Sequence, residues 1–236
     1  MGALSLEKTD HLLWLGRYAE RSYTTQRFIL STYDKAIDST EGNWKGQLEE
    51  LGFVAGADEP IAFFRDCLFN RQNSCSLAFS MNAAYGNAVM LRDVLGTEAI
   101  SYIQMAQDGI ENAEVSASPL LDLQLVQDNI MAFKGCVDDM VASDTARNLI
   151  KCGISVERID LYARLSFQLE ALRQEVHRLT SRIDRTGAPY DRAALKGVVD
   201  IVFSPAFPQE ADYETLGRLL EQNARIFSEN AFSRVF

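Results

Sequence analysis

One short pattern occurs twice in this sequence, as GRYAERSYTTQR at residues 16–27 and as GISVERIDLYAR at residues 153–164. Each copy has a Gly, a Glu-Arg pair that begins four residues later, and a second Arg six residues after the first. An α-helix turns about 100° per residue, so the Gly, the Glu and the second Arg lie within about 40° of one another. The repeat predicts an internal duplication of one helix.

Apolar side chains share the helix face that carries these charged residues. In the first copy they are Leu12 and Leu30, and in the second they are Leu149 and Phe167. A carboxylate or guanidinium on a core-facing stripe costs several kcal/mol to desolvate unless it finds a partner. We therefore expect the charged residues of the two copies to meet in the interior.

The two copies can neutralise each other if their helices pack antiparallel. Glu20 then lies opposite Arg164, and Glu157 lies opposite Arg27. The glycine of each copy leaves a gap into which the partner backbone or an Arg side chain can come close. This interpretation predicts a buried polar layer about a pseudo-twofold axis. The alternative is that these are ordinary charged positions on the solvated faces of two long helices.

The rest of the chain keeps a helical period and contains only 5 prolines and 14 glycines. This pattern predicts an all-α fold, an antiparallel helical bundle in a single domain over residues 1–236. We expect its core at about residues 5–190 and peripheral C-terminal helices at 191–236. The longest predicted helix runs from Thr145 to about Thr186. Another, from about Cys75 to Val94, is preceded by N-cap candidates Asn73 and Ser74.

Charge and hydropathy limit the partners and the location. A net charge of −10 disfavours nonspecific binding to nucleic acid or to anionic membranes, because both need a positive surface. No apolar run reaches the roughly 18–20 residues of a membrane span, and the N-terminus lacks a signal-peptide pattern. We expect a cytoplasmic protein without membrane or nucleic-acid partners, and a homo-oligomer is compatible with this sequence.

The sequence offers no recognisable catalytic or metal-binding constellation. The two histidines, His11 and His177, have no Glu three residues before them, as a di-metal carboxylate bundle would require. Phosphate-binding loops and nucleophile elbows do not occur. The cysteines lack C-x-x-C spacing and are interpreted as buried free thiols: Cys67, Cys75, Cys136 and Cys152. We therefore expect no metal, no cofactor and no catalytic residue.

Three motifs carry a resemblance to a known family. The segment LWLGRYAER at residues 13–21 resembles the opening helix of the alpha-E family, bacterial all-helical proteins named for a Glu-Arg motif. The pair Glu157-Arg158 is similar to the second copy in that family. The segment NAVMLRD at residues 87–93 looks like the middle Asn-x4-Arg-acid motif, and it adds Asn87 and Arg92 to the site. Val89 stands where the family commonly has Arg, which removes positive charge.

The resemblance runs from about residue 5 to 190 and implies a role in making or processing peptides, beside ATP-grasp ligases or transglutaminase-like peptidases. The leading hypothesis is a non-catalytic accessory subunit for such an enzyme. The alternative is an enzyme that uses Glu20 or Glu157 as acid or base, with Arg holding a carboxylate. An excess of guanidinium also suits an anionic ligand. The predicted polar-layer or anion-binding residues are Glu20, Arg21, Arg27, Asn87, Arg92, Glu157, Arg158 and Arg164.

Overall fold

The computed structural model describes residues 4–38, 44–50, 59–165, 169–205, 207 and 213–228. Over these residues the protein is all-α, as predicted, and contains no strand. The helices are α1 (Leu6–Asp38), α2 (Trp44–Glu50), α3 (Pro60–Phe69), α4 (Leu77–Met90), α5 (Arg92–Leu95), α6 (Thr97–Val115), α7 (Pro119–Asp139), α8 (Asp144–Leu165), α9 (Leu169–Ile183), α10 (Arg192–Val202) and α11 (Tyr213–Arg225), with a 3-10 turn at Asp184–Thr186. None of these described helices has the length and apolar character needed to cross a membrane.

The chain divides into two compact units. The terminal unit comprises residues 1–17 and 144–236, and the central unit comprises residues 18–143. Helix α1 therefore contributes its beginning to the terminal unit and its remainder to the central unit. The single domain expected from the sequence stays a prediction.

The core of the terminal unit is formed by α8, α9, α10 and α11. Helix α8 packs on α9 and α11, and α10 packs on the same two helices. The sequence predicts a peripheral element beyond residue 190, yet α10 and α11 supply buried core side chains. These include Val198, Val202 and Leu219, all 0% exposed.

The predicted long helix from Thr145 to about Thr186 is wrong. Ser155 on α8 donates a hydrogen bond to Glu175 on α9, with 3.1 Å between the Ser155 Oγ and Glu175 Oε2 atoms. On one continuous helix two residues at this separation would lie about 30 Å apart. Helices α8 and α9 instead pack side by side. Residues 154–186 contain neither Gly nor Pro, so no local signal in this stretch marks the break.

The repeated glycines set the packing of α1 against α8 within the terminal unit. A Cβ on Gly16 would lie 2.1 Å from the carbonyl oxygen of Ile150, and a Cβ on Gly153 would lie 2.1 Å from that of Leu13. The predicted close approach of backbones is thus confirmed. The order of the contacts reverses between the helices, so they run antiparallel here. The predicted ion pairs of Glu20 with Arg164 and of Glu157 with Arg27 required a different register of the two helices. In that register Gly16 would lie beyond Leu165, the last residue of α8.

The central unit is built around the helical hairpin of α6 and α7. Helix α4 packs on α6, and α3 packs on α4 and α6. Large side chains fill the interior, among them Phe63, Met81 and Phe133, each 0% exposed. The predicted helix at 75–94 is interrupted at Leu91, where α4 ends and α5 begins. Its N-cap is Ser76, whose Oγ accepts a hydrogen bond from the Phe79 N–H, so the two candidates before it were wrong.

Candidate functional site

Glu20 is buried on the part of α1 that belongs to the central unit, with 1% of its surface exposed. Its Oε2 accepts a hydrogen bond from Lys134 Nζ on α7 at 2.7 Å, and its Oε1 accepts one from Thr24 Oγ1 at 2.9 Å. The Lys134 ammonium also lies 4.2 Å from the centre of the Tyr23 ring. We call Glu20, Thr24 and Lys134 the Glu20 cluster. Its carboxylate is neutralised inside the protein.

Glu157 is buried on α8 in the terminal unit, with 0% of its surface exposed. Its Oε2 accepts a hydrogen bond from Arg17 Nε on α1 at 2.9 Å. The Arg17 side chain is 18% exposed, and its Cζ lies 4.3 Å from the centre of the Trp14 ring. We call Glu157 and Arg17 the Glu157 cluster. The cation–π contact with Trp14 restrains the guanidinium that binds Glu157.

Arg158, the Arg of the second Glu-Arg pair, binds a third buried carboxylate. Its Nη1 donates to Glu175 Oε1 at 3.0 Å, and Arg178 donates to the same oxygen. Ser155 donates to the other oxygen of Glu175, which is 2% exposed. From α11, Asn223 Nδ2 donates to the carbonyl oxygen of Val156 at 2.9 Å. These contacts connect α8 to α9 and α11.

The prediction that the second Arg of each copy is a buried counter-ion is wrong. Arg27 is exposed, and its Cζ lies 5.5 Å from the centre of the Tyr23 ring on its own helix. Arg164 is 41% exposed and binds Asp160 one turn earlier, with 2.8 Å between Nε and Oδ2. Both guanidinium groups keep contact with water and so avoid the cost of desolvation. Glu20 and Glu157 take their cations from Lys134 and Arg17 instead.

The remaining predicted residues lie on three different helices. Arg21 is partly buried on α1, with its Cζ 5.4 Å from the centre of the Tyr18 ring. Asn87 is partly buried on α4, where its Nδ2 donates to the carbonyl oxygen of Ala83 at 2.8 Å. Arg92 is exposed at the first position of α5. The described contacts of Arg21 and Asn87 are with neighbours on their own helices.

Three charged residues of these buried contacts were missed from the sequence: two cations, Arg17 and Lys134, and the third buried carboxylate, Glu175. Arg17 lies four residues after Leu13 and three before Glu20, so it shares their helix face. Glu175 lies three residues after Leu172 and four before Leu179, again within an apolar stripe. Lys134 directly follows the buried Phe133 at the edge of such a stripe. A charged residue within an apolar period was the available signal for all three.

The structure argues against the buried cysteines as nucleophiles. Burial raises the pKa of the Cys67 thiol to about 12, and Asp66 adds to the shift. Burial likewise raises the pKa of Cys152 to about 12. Both thiols are therefore protonated near neutral pH, whereas the nucleophile is the thiolate. Among the described residues, no group of three or more His, Cys, Asp and Glu side chains could hold a metal ion.

A protein-family model matches most of this chain. The model of Alpha-E, described as a predicted alpha-helical domain with a conserved ER motif, matches residues 8–196. Both Glu20-Arg21 and Glu157-Arg158 lie within the matched residues. Neither a curated protein nor a solved structure matches this chain.

Proposed function

Because this chain belongs to the Alpha-E family, we propose that it acts as a non-catalytic binding or accessory subunit in bacterial peptide synthesis or processing. Its partner in this role is an ATP-grasp-type peptide ligase or a transglutaminase-like peptidase in the cytoplasm. The two partner classes come from the sequence resemblance. The non-catalytic role rests on the burial and the ion pairing of the Glu20 and Glu157 carboxylates.

The observation that carries the proposal is the enclosure of Glu20 and Glu157. A general acid or base must come within hydrogen-bond reach of a substrate proton. Glu20 and Glu157 are 1% and 0% exposed, and each already has an oxygen within 2.9 Å of a cationic nitrogen. Charge neutralisation in the interior supports a structural role for both side chains. An enzyme would instead need a water-accessible pocket that reaches one of them.

Exposed apolar side chains near the turn between α6 and α7 give additional support. Val115 at the end of α6 is 85% exposed. Leu121 and Leu125, one turn apart on α7, are 72% and 58% exposed. Neighbouring apolar side chains on a surface are a feature of protein-binding sites. They supply a contact region for a partner that is separate from the buried carboxylates.

The test is reconstitution with the ligase and the peptidase from the same host. Each enzyme is mixed with the chain, the mass of any complex is measured by light scattering, and ADP release or peptide cleavage is followed with increasing chain. We expect a complex of defined stoichiometry with one of the two enzymes and a changed rate for that enzyme. Leu125→Asp should weaken the complex, whereas Met131→Asp, also on α7 and about 9 Å further along, should not.

Two Glu→Gln variants distinguish the enzymatic alternative. Glu20→Gln and Glu157→Gln remove a carboxylate charge but keep the side-chain shape, and Glu111→Gln and Glu170→Gln are exposed controls. Each variant that retains its helical circular dichroism should still bind the partner and alter its rate. Turnover of a peptide by the chain alone, lost in a folded Glu20→Gln or Glu157→Gln variant, would overturn the proposal. The proposal would also be overturned if the chain formed a complex with neither the ligase nor the peptidase.

A further inference from the structure

A groove of about 480 Å3 opens in the central unit, and its lining includes none of the three residues of the Glu20 cluster. Its walls come from α1, α3 and the start of α7, and we call it the α1–α3–α7 groove. Ile29 and Tyr33 line it from α1, Phe64 and Leu68 from α3, and Leu120 from α7. Small-molecule sites are mostly apolar clefts of about 300–1,000 Å3, and this groove falls within that range.

The aromatic wall of the groove is held in place by other rings. Tyr33 meets Phe64 edge to face, with 5.0 Å between ring centres and an angle of 86°. Phe64 in turn meets Phe63 at 6.4 Å and 76°. Phe63 and Phe64 are 0% and 3% exposed, so the packing around them fixes both rings. A wall that is already formed needs little ordering when a ligand binds.

The groove has one cationic side chain in its described lining, Arg65 on α3. Its guanidinium lies 5.6 Å from the Phe69 ring, and its Nη2 is 3.4 Å from the carbonyl oxygen of Glu114. Two acidic side chains close to Arg65 in the sequence have other partners. Glu59 accepts a hydrogen bond from the Ala62 N–H, and Asp66 accepts from the amides of Asn70 and Asn73. An exposed guanidinium therefore stands beside an apolar cleft.

We propose that the α1–α3–α7 groove binds a small amphipathic carboxylate, with its alkyl or aryl part against the aromatic wall and its carboxylate on Arg65. The planar guanidinium matches a carboxylate in geometry and charge. The apolar lining provides the larger part of the contact surface. The volume of the groove lies within the range of small-molecule sites, as the proposed occupant requires. This site does not depend on the accessory role.

Three probes with the same tail and different head groups test the site by isothermal titration calorimetry. They are dodecanoate, dodecanol and dodecyltrimethylammonium, each used below its micelle concentration. We expect dodecanoate to bind one to one and most tightly, dodecanol to bind more weakly, and the cationic probe to bind most weakly. The full chain is used, and its helical circular dichroism is recorded with each probe to detect unfolding.

Matched variants locate the binding. Arg65→Gln should weaken dodecanoate about tenfold or more and leave dodecanol unchanged, because a hydrogen bond to a charged group is lost. Arg65→Lys should restore part of the affinity, and Arg71→Gln, which is exposed outside the groove, should have no effect. Leu120→Trp should reduce the affinity for every probe by filling the groove. Met131→Trp, exposed on the same helix and outside the groove lining, is its control.

Several results would overturn the proposal. One is the absence of saturable dodecanoate binding, and another is binding of many molecules per chain. A third is dodecanoate affinity that neither Arg65→Gln nor Leu120→Trp alters. A fourth is a combination of two results: the wild-type chain does not bind dodecanoate, and Leu120→Trp loses binding of the protein partner. The groove would then be a site for a protein segment.

Discussion

The Glu20 and Glu157 clusters start from the same Gly-x-x-x-Glu-Arg sequence but contain different cations. Glu20 binds Lys134, which α7 contributes, whereas Glu157 binds Arg17 from α1. Both carboxylates are buried to the same degree. The comparison indicates that the local pattern determines which face of the helix is buried, and that tertiary packing determines which cation meets the carboxylate. The following four predictions test this difference.

The largest effect should come from removing either carboxylate. Glu20→Ala leaves the Lys134 ammonium without its carboxylate, and Glu157→Ala does the same to Arg17. Each should lower the free energy of unfolding by about 3–5 kcal/mol, because a largely buried charge loses its partner. Urea unfolding measured by circular dichroism checks this. Glu170→Ala, an exposed Glu, should stay within about 0.5 kcal/mol of the wild type.

Second substitutions make the same prediction specific to each cluster. Lys134→Met should recover part of the stability lost in Glu20→Ala, and Arg17→Met should recover part of the loss in Glu157→Ala. The crossed double variants are Glu20→Ala with Arg17→Met and Glu157→Ala with Lys134→Met. In each of them the losses in free energy of unfolding should simply add. Equal recovery in the crossed combinations would contradict the assignment of separate cations to the two clusters.

The glycine contacts should give the next largest effect, equal in the two copies. Gly16→Ala and Gly153→Ala each place a Cβ 2.1 Å from a carbonyl oxygen, so α1 and α8 must separate. We expect a loss of about 2–3 kcal/mol from each, measured by urea unfolding. Gly86 and Gly135 are helical glycines with open space where a Cβ would lie. Their Ala variants should be unchanged or more stable by up to about 1 kcal/mol.

Replacing the second Arg of either copy should have little effect. Arg27→Ala and Arg164→Ala remove exposed guanidinium groups, and we expect changes within about 0.5 kcal/mol. Arg17→Ala leaves the buried Glu157 without its described cation, so it should cost several times more. Thermal and urea unfolding of the three variants together provide the measurement. A large loss of free energy of unfolding in Arg27→Ala would instead support the ion pair between Glu157 and Arg27 that was expected from the sequence.

The smallest effect at neutral pH concerns the ionisation of Cys152, which precedes Gly153 as Leu15 precedes Gly16. Both side chains are 0% exposed. Burial raises the pKa of Cys152 from 9.0 to about 12, so the folded thiol stays protonated where the unfolded thiol ionises. Its contribution to stability is full below pH 9 and is lost as the pH rises from 9 towards 12. Unfolding of the wild type should depend more steeply on pH in this window than that of Cys152→Ala.

Thiol labelling provides an independent measurement. With a disulfide reagent near neutral pH, Cys67 and Cys152 should react only after denaturant is added, because both are buried and protonated. The sequence interpretation of all four cysteines as buried is wrong for Cys75 and Cys136, which are partly exposed and should react in the folded protein. Rapid native labelling of Cys152 would show that α8 opens easily at the second copy.

The features that could be predicted from the sequence are those set by local pattern. Helical periodicity predicted the all-α fold, and the apolar neighbours of Glu20 and Glu157 predicted their burial. The matched glycines predicted the close approach of two backbones, which the contacts of Gly16 and Gly153 confirm.

The features that could not be predicted depend on how distant segments meet. Lys134 is 114 residues from Glu20 in the sequence, and Arg17 is 140 residues from Glu157. The register of α1 on α8 follows from the contacts at Gly16 and Gly153, and antiparallel order alone leaves this register open. The boundary between α8 and α9 has no Gly or Pro to mark it, so only their packing against each other reveals two helices.

Main-chain atoms alone determine how close α1 and α8 come, because the hydrogens of Gly16 and Gly153 face the carbonyl oxygens of Ile150 and Leu13. The backbones therefore set a lower limit on the distance between the helix axes at this crossing, which smaller neighbouring side chains cannot reduce. Truncation of neighbouring apolar side chains should therefore leave cavities, because the two helices cannot move closer together to fill them.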